Sequence, residues 1–253
     1  MNMNANLNMN TNMNAAPAEI NPFDDAVAKM LERARGRGAI LPEREYAKYV
    51  FETEIRPTMK TWGIQDRHLV EIEDFGSAEQ QDKFAKVCAR MKGVGAIVAL
   101  IGIRGCGKTT IAAQFARAIA WRNHRHARQV PCGEIACCRY MKATDLLARF
   151  KPLYADFGSA ETERMVAARD FFCTQVEFAV IDELHEVGDQ KVMQRMIPDV
   201  LDRRYAARRD TLLISNQTPE EFLGTTSDSV ISRLQEHGAI LQCEWESWRG
   251  RGR

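Results

Sequence analysis

The feature that most constrains this chain is an eight-residue stretch, Gly102-Ile103-Arg104-Gly105-Cys106-Gly107-Lys108-Thr109, which fits G-x-x-x-x-G-K-[ST] throughout. An apolar run from Ala96 to Ile101 precedes it, and Ile111 to Trp121 carries helical patterning after it. Strand, glycine-rich turn and helix in that order aim backbone N–H groups and a helix N-terminus at an anion. Gly105 and Gly107 permit the tight backbone, and Lys108 answers the β- and γ-phosphates of a nucleotide such as ATP. The Thr109 hydroxyl can ligate Mg²⁺. Gly102, Cys106 and Thr110 are the remaining expected nucleotide contacts, with Cys106 read as part of the cradle rather than as a nucleophile.

From Val94 onward the chain alternates strands with helices. The expected strands are Ala96 to Ile101, Glu134 to Tyr140, Glu177 to Ile181, Thr211 to Ser215 and Ala239 to Cys243. Helices between them imply an α/β fold with a parallel five-stranded sheet covered on both faces. The third strand runs Phe178-Ala179-Val180-Ile181 into Asp182-Glu183. Two carboxylates at that strand end suit Mg²⁺ binding by Asp182 and activation of water by Glu183. The fourth strand ends at Asn216, whose amide can position that water if its strand lies beside the acidic one.

Before this unit the chain changes character. Residues 1–20 begin with an Asn/Met-rich alternation too poor in apolar surface to order itself, and are read as a disordered tail. Asn21, Pro22, Asp24 and Asp25 start a helix with Phe23, Val27, Met30, Leu31 and Ala34 on one face, ended by Gly36. A second helix is expected from Pro42 to about Ile55, apolar at Tyr46, Tyr49 and Val50. Gly63 to Asp74 reads as a linker into a helix near Ala78 to Lys92. Residues 21–73 form the N-terminal helical region and 74–253 the main domain.

With 35 basic against 34 acidic residues, binding to nucleic acid through bulk charge is excluded, while a local basic groove is not. No apolar run nears the ~20 residues that span a bilayer, and a basic-then-apolar leader is lacking, so a cytoplasmic protein without a membrane partner is expected. Seven cysteines without an export signal read as reduced thiols. Cys132, Cys137 and Cys138 lack the second pair that a zinc site needs and are expected to be buried. His124 and His126 are placed on a solvated basic loop with Arg122, Arg125 and Arg128.

These elements together resemble the AAA+ ATPases. Leu201-Asp202-Arg203-Arg204-Tyr205, Leu212 to Asn216, Val230-Ile231-Ser232-Arg233-Leu234 and Glu244-Trp245-Glu246-Ser247-Trp248-Arg249 resemble DnaC-type helicase loaders and the related IstB transposition ATPases. The resemblance implies an ATPase that loads a replicative hexameric helicase onto single-stranded DNA, or alternatively one that recruits a transposase to duplex DNA. It implies an arginine finger at Arg233, acting across a homo-oligomer. It also implies a partner-docking role for residues 21–73 and a DNA-binding helix over Thr144 to Tyr154, with Lys151 and Tyr154 as the basic and aromatic contacts. Pro152 departs from a continuous helix, and the alternative is a core helix packing Leu146, Leu147, Phe150 and Leu153. Residues 234–253, all that follow Arg233, are too few for a C-terminal lid domain, so none is expected.

Overall fold

The computed structural model describes residues 47–69, 77–127, 138–153, 160–186 and 190–245. The expected tail, the helix at 21–36, Tyr46, Cys132, Cys137 and Tyr154 lie outside them. The five strands are β1 (Ile97–Gly102), β2 (Cys138–Lys142), β3 (Phe178–Asp182), β4 (Asp210–Ile214) and β5 (Ala239–Cys243). They form one sheet in the order β2-β3-β4-β1-β5, and every neighbouring pair is parallel. The expected parallel five-stranded sheet is thus the one observed.

Side-chain alternation along a strand divides the core in two. Val98, Leu100, Phe178, Val180, Leu212, Ile214 and Leu241 face one cluster. Ile97, Ala99, Ile101, Ala179, Ile181 and Leu213 face the other. On the first face lies α3 (Lys108–Ala127), burying Ile111, Phe115 and Ile119. Beside it are α2 (Ala78–Arg90) and a stretch that is helical from the first described residue, 47, passes a π turn at Phe51–Ile55 and ends as α1 (Arg56–Thr61). On the second face lie α4 (Ala143–Phe150), α5 (Ala160–Thr174), α6 (Gln190–Ala206) and α8 (Asp228–Glu236), with α7 (Pro219–Thr225) between β4 and α8.

Several expectations need correction. Tyr49 is 63% exposed; the buried side of its helix is Val50, Phe51, Ile55 and Met59, which join the first cluster with Trp62, Ile64 and Leu69. Each such side chain contributes roughly 1.5–3 kcal/mol, so the stretch 50–69 is fastened to α3. Its turn also bonds the sheet edge, with Tyr140 N–H donating to the Trp62 carbonyl at 2.7 Å.

α3 is longer than expected at both ends. Arg122 and His124 lie on this helix rather than on a loop, because tertiary partners draw them in. Arg122 pairs with Glu177 at 3.1 Å, and His124 Nδ1 meets Glu54 Oε2 at 2.7 Å. β2 runs two residues beyond its expected end at Tyr140, which carries Lys142 to the level of Asp182. The helix expected over Thr144 to Tyr154 stops at Phe150, and a 3-10 turn follows over Lys151–Leu153. Pro152 cannot donate the N–H that would continue it.

Candidate active site

Parallel strands present their carboxyl ends along one edge of the sheet. Since β4 lies between β1 and β3, the loop after β1, the acids ending β3 and Asn216 after β4 share that edge.

The loop is shaped by close approach. Gly102 has φ 133°, and a Cβ there would lie 2.3 Å from the Cys243 carbonyl oxygen, so only glycine fits. Lys108 starts α3 and is 4% exposed. Its ammonium donates to the carbonyls of Gly102 at 2.8 Å and Ile103 at 2.7 Å, and lies 3.5 Å from Cys106 Sγ. The Cys106 carbonyl accepts from Gln80 Nε2 at 3.2 Å and from the Trp245 indole. Among the described residues no carboxylate answers the Lys108 charge. Carbonyls and the Cys106 sulfur satisfy the ammonium without a carboxylate, and the site fits an anionic ligand such as a polyphosphate. Gly105, Gly107 and Thr110 stand in the same loop and first helical turn.

Asp182 is the hub beside it. Its Oδ2 accepts from Thr109 Oγ1 at 2.9 Å and from the Tyr140 hydroxyl at 2.7 Å, while Oδ1 accepts the Glu183 N–H at 2.7 Å. The two groups expected to hold Mg²⁺ are therefore already in contact, and their oxygen chemistry fits that ion. When bound, Mg²⁺ would neutralise phosphate charge between Thr109 and Asp182. Burial, then the Asp182 carboxylate, pushes the Tyr140 hydroxyl well above its ordinary range, so it remains a donor.

Glu183 occupies the left-handed backbone region with φ 59°, a conformation costing roughly 1–3 kcal/mol outside glycine. Its Oε2 meets Lys142 Nζ at 2.7 Å. Asn216 is held by His185, two residues beyond Glu183. The Asn216 N–H donates to His185 Nδ1 at 3.3 Å, and the Asn216 side-chain Nδ2 lies 3.1 Å from His185 Nε2, so the ring meets both the backbone and the amide of Asn216.

Arg233 is not brought to this cluster. It lies on α8, paired with Asp202 at 2.9 Å, donating to the Ser229 carbonyl at 2.9 Å and set over the Tyr205 ring at 5.1 Å. Lys151 is exposed on the 3-10 turn. On α4, Leu146 and Phe150 are buried, with Leu147 and Leu153 packed against the same cluster, so the apolar side of this helix belongs to the core.

The chain matches the family described as AAA domain (dynein-related subfamily) over residues 97–232. It belongs to that family, and the fold and site are those of an AAA-type ATPase. A curated relative, the replicative helicase loader DnaC of Escherichia coli (strain K12), is 24% identical over 108 residues, 42% of this chain and 42% of the relative. The chain thus aligns with less than half of that relative's length. The crystal structure of the DnaC helicase loader superposes with a TM-score of 0.51 at 15% identity, over 71% of this chain and 99% of that one. AMPPCP-bound DnaA from Aquifex aeolicus gives 0.50 at 15% identity, over 72% and 52%. These two are likenesses of fold.

Sequence reasoning missed Tyr140, Lys142, His185, Gln80 and Asp202. Tyr140 and Lys142 carry a local signal, since residues two apart on a strand share a face and this face meets the acidic strand. The others are joined to their partners only by the fold.

Proposed function

We propose that this chain is an ATP-dependent loader that delivers a replicative ring helicase to single-stranded DNA. The observation that carries this reading is the sequence likeness to the DnaC helicase loader across 108 residues, set on an AAA-type fold whose phosphate loop, Asp182 and Asn216 share one edge of the sheet. In this reading Lys108 and the loop amides bind the phosphates, and Thr109 and Asp182 hold Mg²⁺. Glu183, released from Lys142, takes a proton from the attacking water, which Asn216 orients. Arg233 leaves Asp202 to reach the nucleotide of a neighbouring copy. Its position away from its own chain's loop supports action between subunits.

Single-stranded DNA is assigned to the turn at Lys151 and to Tyr154, with Arg149 exposed beside Lys151. Basic groups with a stacking ring suit a strand read without sequence preference. Because 50–69 is buried against α3, we assign helicase docking to residues 21–46, whose Phe23, Val27, Met30 and Leu31 stripe would fill a groove on the partner. Among the described residues no helix is long and apolar enough to cross a membrane, and a cytoplasmic setting completes the reading.

The test is co-purification of the full chain with a candidate replicative ring helicase, with and without ATP. Capture that is lost on deleting residues 1–36, with ATP binding intact, is the expected result. ATP-dependent filaments on duplex DNA without helicase capture would replace this reading with that of a transposition ATPase.

A further inference from the structure

Two buried thiols meet at the phosphate loop. Gly102 is in register with Cys243 across β1 and β5, in the close approach described above, so the end of β5 is pressed against the loop's entry. Two residues further on, the Trp245 indole holds the Cys106 carbonyl. Residues 243–245 therefore strap residue 106. Cys106 and Cys243 lie in the same buried cluster, both free thiols. The Cys106 thiol donates to the Ile103 carbonyl at 3.0 Å and the Cys243 thiol to the Leu241 carbonyl at 3.8 Å, and each is the largest influence on the other's titration.

We propose that Cys106 and Cys243 form a reversible disulfide that closes the phosphate loop to nucleotide, with a peroxide as the oxidant. Formation of the bond is independent of the proposed function; its closing effect rests on the nucleotide site.

The two sulfurs have unequal roles. The Cys106 thiol is pulled down to about 6, first by the Cys243 thiol and then, against burial, by the Lys108 charge. The Cys106 sulfur, with burial, pushes Cys243 well up. A thiolate is the nucleophile, so Cys106 attacks and Cys243 resolves. The Cys106 sulfur takes one peroxide oxygen, the O–O bond breaks, and the hydroxide released takes a proton to become water. The Cys106 sulfenic acid is then attacked by the Cys243 sulfur, which gives up its proton as the S–O bond breaks and a second water leaves. Two thiols lose two electrons and two protons, and one peroxide is reduced to two waters.

Both thiols are buried, while Ile103 at the loop's lip is 53% exposed, so opening of the loop admits the peroxide. The bond itself requires sulfurs about 2.05 Å apart, closer than two unbonded thiols, so it draws the loop onto β5. Cys106 sits between Gly105 and Gly107, and Lys108 is two residues away. Tethering it there holds the loop in the form where Lys108 is spent on the Gly102 and Ile103 carbonyls. Cys173 is a contrast: burial pushes its thiol up to about 11, which leaves it inert at neutral pH.

The experiment treats the reduced full chain with hydrogen peroxide, then digests it with trypsin under non-reducing conditions. A peptide 105–108 linked to 234–249 is expected. Affinity for a fluorescent ATP analogue should fall at least tenfold on oxidation and return with dithiothreitol. Cys243→Ala should bind the analogue when reduced and keep binding it after peroxide. The proposal is overturned by absence of the linked peptide, by a linked chain with unchanged affinity, or by a Cys243→Ala chain that loses binding as the wild type does. A reduced chain that binds no nucleotide would sink the nucleotide site and the closing role with it, while the linked peptide would still decide the bond.

Discussion

Lys142 at the end of β2 holds Glu183 at the end of β3 through a 2.7 Å ion pair. The carboxylate proposed as the base is therefore occupied by an ammonium in this conformation. Lys142→Ala should raise basal ATP hydrolysis several-fold and leave nucleotide affinity unchanged within about twofold, since tenfold in rate is ~1.4 kcal/mol of barrier. Glu183→Gln should bind ATP and stop turnover, because an amide cannot take the proton. Steady-state hydrolysis and equilibrium binding on both variants check this. A slower Lys142→Ala enzyme would make Lys142 part of the catalytic machinery instead of its restraint.

Lys108→Ala should abolish ATP binding by calorimetry. The buried ammonium has only carbonyl and sulfur partners in this conformation, so the variant should lose no carboxylate ion pair. Its melting temperature should stay within a few degrees of the wild type. A large loss of stability would show that Lys108 is structural.

The sheet was legible because its central strands β1, β3 and β4 are short apolar runs buried on both faces, and because the Gly102–Thr109 loop carries a strong local pattern. Asp182, Glu183 and Asn216 were legible for the same reason, each standing at the end of such a run. What holds them was not. His185 meets Asn216 across 31 positions, and no local pattern fixes that register. Residues 50–69 looked like part of a separate helical region because their apolar positions fit any helix; only the surface of α3 decides that they pack there. Arg122 and His124 read as a loop because a polar run lacks periodicity, yet Glu177 and Glu54 keep them helical.

Arg233 should act between copies. Mixing Arg233→Ala chains, which bind ATP, with Lys108→Ala chains, which still carry the finger, should recover activity that neither has alone. A finger is worth roughly 10³-fold or more in rate, so even partial recovery is measurable. Asp202→Asn weakens the hold on Arg233 and should lower the protein concentration at which hydrolysis rises. No recovery in the mixture would count against a site shared by two subunits.

Lys151→Ala should reduce the salt dependence of single-strand binding by about one phosphate's share, a slope change of ~0.7. Tyr154→Ala should weaken binding by ~1–3 kcal/mol if its ring stacks on a base. Fluorescence anisotropy against salt concentration reads both. Unchanged slopes in correctly folded variants would leave α4 as a core helix alone.

The heaviest single demand on stability falls on Arg204, 0% exposed at the end of α6. Its guanidinium donates to the carbonyls of Phe172 at 2.6 Å, Val176 at 2.9 Å and Asp210 at 2.6 Å, and to Thr211 Oγ1 at 2.8 Å. Burial pulls its pKa down to about 10, still far above neutral, so the side chain is charged in the fold. Asp210, beside it, accepts the N–H groups of Gly93, Val94, Gly95 and Ala96. Arg204 and Asp210 thus fasten α5, β4 and the approach to β1 at the amino ends of the strands, opposite the site. Arg204→Met fills similar volume but leaves several buried acceptors unpaired, each costing roughly 1–3 kcal/mol, and the total should exceed ~4 kcal/mol, the range reserved for broken buried networks. Arg204→Lys keeps the charge but has one nitrogen to offer where the fork offers three, so it should recover only part of the loss. Urea unfolding measures this, and hydrolysis per folded molecule should be unchanged in any variant that still folds, because no Arg204 contact reaches the loop or the acids. An Arg204→Met chain within about 1 kcal/mol of wild type would mean that water or a repacked backbone satisfies those carbonyls.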